Sequence, residues 1–259
     1  MPMSMAIITG ASSGLGREYA LAACRQHPEI EEFVLIARRE ERLLEVQNEV
    51  SEELQSGQSV SYLTADLTKK EDRAKIERFL IEHETDVKLL INNAGFGLMG
   101  EVGELDAEKQ ADMVSLNCGA LTAMCAMTLP YMKKGSVIIN VCSIAAFVPT
   151  PRMTVYCSTK AYVFSFSKSL REETKKNGIN VLAVCPAPMD TEFLAIAGIE
   201  GKSPLFDKLP RVKPAEVAQK SLRKAFAGRA VYTNRILYKL YRVLGKLLPH
   251  NWLMGMSTV

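Results

Sequence analysis

Mostly apolar runs alternate with amphipathic segments along most of the chain. The apolar runs predict β-strands at residues 4–10, 32–37, 59–67, 86–95, 136–143 and 179–186. The segments between and after them predict helices at residues 16–27, 39–54, 68–83, 106–132, 154–177 and 214–228. A short run at 229–233 predicts a last strand. Apolar strands separated by helices indicate a parallel sheet that is covered by helices on both faces.

The alternation is not interrupted by a linker, a repeat or a low-complexity stretch. We therefore predict one domain over residues 1–234, followed by a helical extension over 235–259. Thr68 and Glu71 have the spacing of a capping box, and Pro214 suits the first position of a helix. The predicted fold class is a doubly wound parallel α/β sheet with a basic, amphipathic C-terminal helix.

Composition narrows the class of protein. Hydrophobic residues make up 47% of the chain and charged residues 24%, which is ordinary for a globular domain. The six cysteines lie apart without a CxxC pair and predict reduced thiols in a cytoplasmic setting. We find no signal peptide and no uninterrupted apolar stretch long enough to cross a bilayer. The three histidines are scattered, so no metal site is expected, and no nucleic-acid partner is expected.

Charge is unevenly distributed along a chain whose net charge is +3. Residues 202–259 contain 12 Lys or Arg and 2 Asp or Glu, which gives +10, while the remaining 20 and 27 give −7. In this basic segment, cations and aliphatic residues recur at helical spacing on largely opposite sides. The cations are Arg235, Lys239, Arg242 and Lys246, and the aliphatic residues are Ile236, Leu240, Val243, Leu244 and Leu247.

The simplest interpretation of this C-terminal pattern is a helix that buries its apolar side on the body or on a partner subunit. The charge leaves two alternatives open. The helix can contact an anionic membrane surface, or it can cover a substrate entrance.

Three glycines, Gly10, Gly14 and Gly16, lie between the first predicted strand and the first predicted helix. Glycine permits a tight turn and a close backbone approach, and a helix N-terminus attracts phosphate. This context favours dinucleotide binding over a plain turn. The second predicted strand ends at Arg38 and Arg39, where many dinucleotide folds carry a carboxylate for the ribose hydroxyl. A guanidinium suits a 2′-phosphate, so we predict NADP(H), with Arg38 as the main determinant.

Tyr156 and Lys160 are spaced to lie on one face of a predicted helix. Alone, such a pair is more often a surface feature than a catalytic one, and Ser143 at a strand end is more often a turn residue. The segments TGASSGLG and NNAG, Asn117, Ser143 and YCSTK nevertheless follow one another in a specific order. In this order the sequence resembles the single-domain branch of the short-chain dehydrogenase/reductase family over about residues 5–235.

The resemblance implies a Rossmann-type fold and a set of cofactor contacts. It assigns the loop residues Ser12, Ser13 and Leu15 to the phosphates, with Gly10, Gly14 and Gly16. It assigns Asp66 and Leu67 to the adenine, Asn93, Ala94 and Gly95 to the adenine ribose, and Pro186 and Thr191 to the nicotinamide. The chain departs from the family at Ala187, where the family usually has glycine.

The resemblance also implies a catalytic set of Ser143, Tyr156 and Lys160, with Asn117 holding a proton-relay water. Tyr156 would exchange a proton with the substrate oxygen, and Ser143 would donate to that oxygen. Lys160 would bind the nicotinamide ribose and lower the pKa of the tyrosine, because a nearby cation favours the phenolate. The alternative is a cofactor-binding regulatory or redox-sensing protein without physiological turnover.

The substrate cannot be named from the sequence, but two predicted pocket segments, 144–154 and 190–210, are largely apolar. They favour a hydrophobic ketone or alcohol, such as a steroid, bile acid or acyl chain. Arg152 in the first segment could meet a substrate carboxylate, although an exposed arginine is the simpler interpretation. The resemblance further implies a homodimer or homotetramer, paired through the helices at 106–132 and 154–177. Met113, Leu116, Met124 and Met127 are apolar candidates for that contact.

Overall fold

The computed structural model describes residues 3–83, 85–198 and 209–256. Seven strands form one sheet in the order β3-β2-β1-β4-β5-β6-β7, and every neighbouring pair is parallel. The strands are β1 (Ser4–Thr9), β2 (Glu32–Ala37), β3 (Ser59–Thr64), β4 (Asp86–Asn92), β5 (Val137–Val141), β6 (Asn180–Val184) and β7 (Val231–Tyr232). The predicted doubly wound, Rossmann-type sheet is confirmed.

Ten α-helices are found among the described residues. They are α1 (Gly14–Gln26), α2 (Glu40–Ser51), α3 (Lys70–Glu82), α4 (Ala107–Val114), α5 (Leu121–Thr128), α6 (Thr154–Thr174), α7 (Glu192–Ala197), α8 (Pro214–Phe226), α9 (Ile236–Leu247) and α10 (His250–Met256). Pro214 occupies the start of α8 as predicted.

The central strands are apolar throughout because each of their faces meets helices. In β1, Ala6 and Ile8 join the core cluster that includes residues of α1, α2 and α8. Met5 and Ile7 join the opposite cluster, which includes residues of α3, α5 and α6. Successive side chains of a strand point to opposite faces, so this alternation buries the whole strand. The sheet order reverses between β1 and β4, and open α/β sheets bind ligands beyond the strand ends at such a point.

The predicted helix at 106–132 is interrupted. A π-helical segment, Ser115–Ala120, joins α4 to α5, and a 3₁₀ turn, Leu129–Tyr131, ends the run. By length and composition alone, Ala107–Tyr131 is apolar enough to cross a membrane, so the expectation that no such stretch exists is wrong. Here Leu121 and Met124 belong to the core on one face of the sheet, as expected for a core helix of a layered domain.

The capping box predicted at Thr68 and Glu71 is wrong. The helix α3 begins at Lys70, and the preceding residue makes no side-chain cap. Thr68 instead donates from its hydroxyl and its amide to Asp66 Oδ1, over 2.7 and 3.0 Å. A short polar side chain that can bond locally to a turn competes with capping, and at this position the turn prevails.

The helix α9 does not bury its aliphatic side on the described part of the chain. Tyr238 and Gly245 are its buried residues, and a Cβ on Gly245 would lie 2.7 Å from the carbonyl oxygen of Phe147. Six aliphatic side chains of the helix are exposed instead: Ile236, Leu237, Leu240, Val243, Leu244 and Leu247. The aliphatic side therefore does not pack on the described body, because the face with Tyr238 and Gly245 makes the closer approach; packing on a partner subunit stays a prediction.

Candidate active site

The glycine loop between β1 and α1 needs its glycines for conformation and for space. Gly10 and Gly14 have positive φ angles of 64° and 53°, a region that favours glycine. A Cβ on Gly16 would lie 2.1 Å from the carbonyl oxygen of Gly10, so only glycine lets the helix approach the loop. The N-terminus of α1 adjoins this loop, and its free N–H groups suit a phosphate.

The segment after β4 holds the glycine loop in place. Asn93 Nδ2 donates to the carbonyl oxygens of Thr9 and Gly10, over 3.2 and 3.1 Å. Thr9 Oγ1 accepts from the amides of Asn93 and Ala94, over 3.0 and 3.1 Å. The sequence analysis missed Thr9, although a threonine that directly precedes a glycine loop on a buried strand was a usable signal. These bonds connect the ends of the neighbouring strands β1 and β4, beside the loop where a nucleotide would bind.

Of the two arginines after β2, Arg39 makes the direct contacts with the glycine loop. Its Nη2 donates to Ser13 Oγ over 3.0 Å and to Ser12 Oγ over 3.3 Å, and it pairs with Glu192 Oε2 at 2.8 Å. The ion pair spans the cavity mouth between β2 and α7. Both partners are exposed, so the pair holds weakly and can yield to a phosphate.

Arg38 is exposed and lies near Asp66, and both line the cavity. Partial burial acts to raise the pKa of Asp66, but hydrogen bonds from Thr68 and the charge of Arg38 outweigh it, and the pKa is lowered. Asp66 is therefore a carboxylate at neutral pH and can accept a hydrogen bond from an amino group.

The predicted catalytic side chains come together where β5 ends. Ser143 follows β5 and lies near Tyr156, which α6 carries, and both line the same cavity. Lys160 lies one turn further along α6, with Nζ 5.7 Å from the centroid of the Tyr156 ring. The ammonium group donates to the carbonyl oxygen of Val141 over 3.0 Å. Tyr156 and Lys160 are both buried.

The electrostatics of this group differ from the expectation. Burial raises the pKa of Tyr156, and the neighbouring Ser143 hydroxyl offsets this only in part. Burial likewise lowers the pKa of Lys160. The expected lowering of the tyrosine pKa by Lys160 is therefore wrong for the protein alone, because the cost of desolvating a phenolate outweighs a cation whose donor is directed at Val141.

Asn117 lies in the π-helical segment and does not line the cavity. Its Oδ1 accepts from the amide of Phe96 over 3.1 Å, and its Nδ2 donates to the carbonyl oxygen of Phe96 over 2.8 Å. Nδ2 also lies 3.1 Å from Thr159 Oγ1, on the helix that carries Tyr156 and Lys160. Asn117 thus ties the backbone after β4 to α6. The sequence analysis missed Thr159, which gave no signal beyond its place between Tyr156 and Lys160.

One cavity of about 980 Å³ contains nearly all the predicted site residues. Gly16 and Asn117 support the cavity from behind without lining it. The predicted residues that line it are Gly10, Ser12, Ser13, Gly14, Leu15, Arg38, Arg39, Asp66, Leu67, Asn93, Ala94, Gly95, Ser143, Tyr156, Lys160, Pro186 and Thr191. The glycine loop and the group of Ser143, Tyr156 and Lys160 therefore line one continuous cavity.

One part of the cavity is apolar. Met153 from the first predicted pocket segment and Phe193 and Ile196 from the second line it, while residues 199–208 of the second segment lie outside the described residues. The sequence analysis missed Phe96, which directly follows NNAG. It also named no lining residue in the C-terminal helix, whereas Leu237, Tyr238 and Tyr241 of α9 line the cavity.

Two further positions differ from simple expectation. Ala187, where the family usually has glycine, is buried without a positive φ, and its amide donates to Asn234 Oδ1 over 3.0 Å. Arg152 is half-buried with a φ of 63°, and its carbonyl oxygen accepts from the amide of Gly100. Arg152 is therefore not the freely exposed arginine that the sequence favoured. No three His, Cys, Asp or Glu side chains within the described residues are grouped as a metal site.

Comparison with known proteins agrees with this geometry. A family profile described as short chain dehydrogenase matches residues 4–198. An uncharacterized oxidoreductase of Staphylococcus epidermidis is 32% identical over 189 residues, 72% of this chain and 78% of its own.

Two solved structures are similar over almost the whole chain. A short-chain dehydrogenase from Sphingobium yanoikuyae in complex with NADPH is 31% identical, covers 98% of this chain and 95% of its own, and has a TM-score of 0.79. A bulky-bulky ketone specific alcohol dehydrogenase from Comamonas testosteroni is 28% identical at the same coverage, with a TM-score of 0.76. The chain belongs to the short-chain dehydrogenase family of oxidoreductases, which act on alcohol and ketone groups with a nicotinamide cofactor.

Proposed function

We propose that the protein is an NADP(H)-dependent oxidoreductase that interconverts a hydrophobic ketone and its secondary alcohol. One observation carries the proposal. A single cavity of about 980 Å³ is lined by the glycine loop, by Tyr156 and by the apolar side chains of Met153 and Phe193 that pack with it. A cofactor and a substrate can therefore meet beside one proton donor.

The glycine loop and the two arginines after β2 fit a dinucleotide that carries a 2′-phosphate. Gly10 and Gly14 line the cavity, and Gly16 lets the helix α1 approach the loop closely from behind. Arg38 and Arg39 follow β2 with no carboxylate at the strand end, and both line the cavity. The similar structure from Sphingobium yanoikuyae is a complex with NADPH, which supports the same preference here.

The bound cofactor would supply the hydride, and the chain supplies the proton and the geometry. Because burial raises the pKa of Tyr156, its hydroxyl stays protonated at neutral pH and is ready to act as an acid toward the substrate oxygen. Ser143 lies near Tyr156 and can donate to the same oxygen. Lys160, whose Nζ lies 5.7 Å from the ring centroid, would bind the nicotinamide ribose of the cofactor.

The apolar part of the cavity lining favours a hydrophobic substrate of the size of a steroid, bile acid or acyl chain. Met153, Phe193 and Ile196 offer no charge to bind a small polar ketone. The similar alcohol dehydrogenase from Comamonas testosteroni is described as specific for bulky-bulky ketones, which supports the same substrate class. All six cysteines are free, which supports a reducing, cytoplasmic setting.

A panel of ketones of increasing apolar size, assayed by NADPH oxidation, tests the proposal. We expect turnover of bulky hydrophobic ketones and little turnover of small polar ketones. Cofactor binding without turnover of any ketone would favour the regulatory alternative. Preferred turnover of small charged ketones would contradict the proposed substrate class while leaving the reaction type intact.

A further inference from the structure

The helix α9 turns an apolar surface toward solvent. We call Ile236, Leu237, Leu240, Val243, Leu244 and Leu247 the outer apolar face. Ile236 and Leu247 are each 74% exposed, and Leu240 is 56% exposed. Trp252 in the following helix α10 is 71% exposed. Contiguous exposed apolar surface of this kind marks an interaction site.

The orientation of α9 is determined by its opposite side. Tyr238 and Gly245 are buried against the body, two turns apart on one side of the helix. Gly245 leaves no room for a side chain, because a Cβ there would lie 2.7 Å from the carbonyl oxygen of Phe147. A leucine of α9 therefore cannot replace Gly245 against Phe147, and the outer apolar face stays exposed to solvent.

Charge accompanies the apolar face. Lys239 and Lys246 are exposed on one flank of α9, a position between the buried side and the outer apolar face. The sequence has no Asp or Glu after Glu216. A two-fold contact between copies would set equal cations against each other without a local acidic partner, whereas an anionic surface would pair with them.

We propose that the outer apolar face docks on an anionic lipid bilayer, with α9 lying in the plane of the interface. A helix with a wide apolar face and flanking lysines binds bilayers in this way, its aliphatic residues entering the boundary of the acyl chains. The lysines meet anionic headgroups, and Trp252 suits the interfacial layer. The proposal is independent of whether the protein turns over a ketone.

Docking on this face also positions the cavity. Leu237 belongs to the outer apolar face and lines the cavity, and Tyr238 and Tyr241 line it from the same helix. The cavity therefore adjoins the helix that contacts lipid. An apolar molecule dissolved in the bilayer can reach the cavity without crossing bulk water.

Co-sedimentation of the full-length protein with lipid vesicles tests the docking. The vesicles contain phosphatidylcholine alone or phosphatidylcholine with phosphatidylserine. We expect binding to the anionic vesicles that weakens as salt is raised. Lys239→Gln with Lys246→Gln should weaken it about 25-fold, since each cation near an anionic surface contributes about fivefold. Leu240→Ser with Leu247→Ser should reduce the binding at least about tenfold.

Matched control variants separate the surface from general effects. Leu44→Ser with Ile81→Ser removes two exposed aliphatic residues from other helices, and Lys70→Gln with Lys176→Gln removes two exposed cations elsewhere. These controls should bind as the unchanged protein does. Thermal unfolding and NADPH binding of each variant establish that it is folded.

Three results would overturn the proposal. The first is an absence of binding to anionic vesicles. The second is binding that the controls reduce as much as the α9 variants do. The third is a combined result in which the unchanged protein does not bind vesicles, and Leu240→Ser with Leu247→Ser abolishes its self-association as measured by light scattering. This last result would assign the face to a second copy.

Discussion

At the scale of single residues, Tyr156 is the proton donor of the proposed reaction, and its ring contacts Phe193 with centroids 5.5 Å apart. Tyr156→Phe keeps this packing and removes only the hydroxyl. We expect kcat to fall about 10³-fold, since a positioned acid contributes 10²–10⁴-fold, with NADPH affinity nearly unchanged. Steady-state kinetics and NADPH fluorescence titration measure the two quantities.

The matched control is Tyr162→Phe, which removes a hydroxyl from an exposed tyrosine on the same helix. Its kcat should stay close to that of the unchanged protein. Activity of Tyr156→Phe above about a tenth of the unchanged protein would exclude Tyr156 as the principal proton donor.

The raised pKa of Tyr156 predicts the pH dependence of both directions. Alcohol oxidation needs the phenolate as a base, and burial keeps the hydroxyl protonated beyond its ordinary value of about 10. We expect kcat/KM for oxidation to rise with pH without a plateau through about pH 9. Ketone reduction, which needs the protonated form, should be flat from about pH 6 to 8. An oxidation plateau near neutral pH would mean that Lys160 lowers the pKa after all.

Cofactor preference depends on the residues that follow β2. Arg38→Asp places a carboxylate where a 2′-phosphate would be repelled and a 2′-hydroxyl could be bound. We expect kcat/KM for NADPH to fall about 100-fold and that for NADH to rise, with a smaller effect from Arg39→Asp. Arg42→Asp, one turn into α2 and paired with Glu45, is the control of equal charge change. Equal use of both cofactors by the unchanged protein would contradict the proposed NADP(H) preference.

At the scale of elements, the contact between β1 and α1 depends on Gly16. Gly16→Ala would force a methyl group to within 2.1 Å of the carbonyl oxygen of Gly10. We expect a loss of more than about 3 kcal/mol in the free energy of unfolding, together with loss of cofactor binding. Urea denaturation and NADPH titration measure these effects.

Gly119→Ala is the matched control for Gly16→Ala. It lies in a helical segment where an added methyl group meets nothing within 4 Å, so it should gain up to about 1 kcal/mol. Unchanged stability in Gly16→Ala would mean that the loop and the helix do not pack as described.

The sheet could be predicted because its signal is local. Met5 and Ile7 on one face and Ala6 and Ile8 on the other make β1 apolar throughout, and such a strand belongs in a covered parallel sheet. The orientation of α9 could not be predicted, because it depends on the fit of Gly245 against Phe147, which is distant in sequence.

The candidate site shows the same division between local and tertiary causes. The glycine loop and the pair of Tyr156 and Lys160 were readable, because their function needs fixed residue types at fixed spacing. The pKa of Tyr156 was not readable, because burial outweighs the nearby cation. The sequence left open that the C-terminal helix covers a substrate entrance, but it could not predict that Tyr241 lines the cavity, because this depends on how α9 packs.

At the scale of the whole molecule, we predict self-association through α4, α5 and α6. Met113 and Met124 are fully buried within one chain and cannot contribute, while Leu116 and Met127 are half-buried. Val114 and Tyr162 are 45% and 42% exposed on α4 and α6, which leaves them to a partner. Light scattering at micromolar concentration should show a dimer or a tetramer.

Substitution tests the location of the predicted contact. Val114→Glu with Tyr162→Glu should shift the protein toward monomer, because an unpaired charge in an apolar contact is costly. Ile81→Glu, on an exposed part of α3, should leave the assembly unchanged. A monomeric unchanged protein would contradict the prediction itself.

The place of β1 in the sheet has a consequence for how the chain folds. Ile7 pairs with Val34 on one side and with Leu90 on the other, and two further strands and three helices separate it from Leu90 in sequence. Contacts between such distant segments raise the contact order, and a high contact order slows folding. During synthesis, β1 and β2 emerge long before β4, so their apolar faces lack a covering. We therefore expect the nascent chain to depend on chaperone binding until the middle strands are complete.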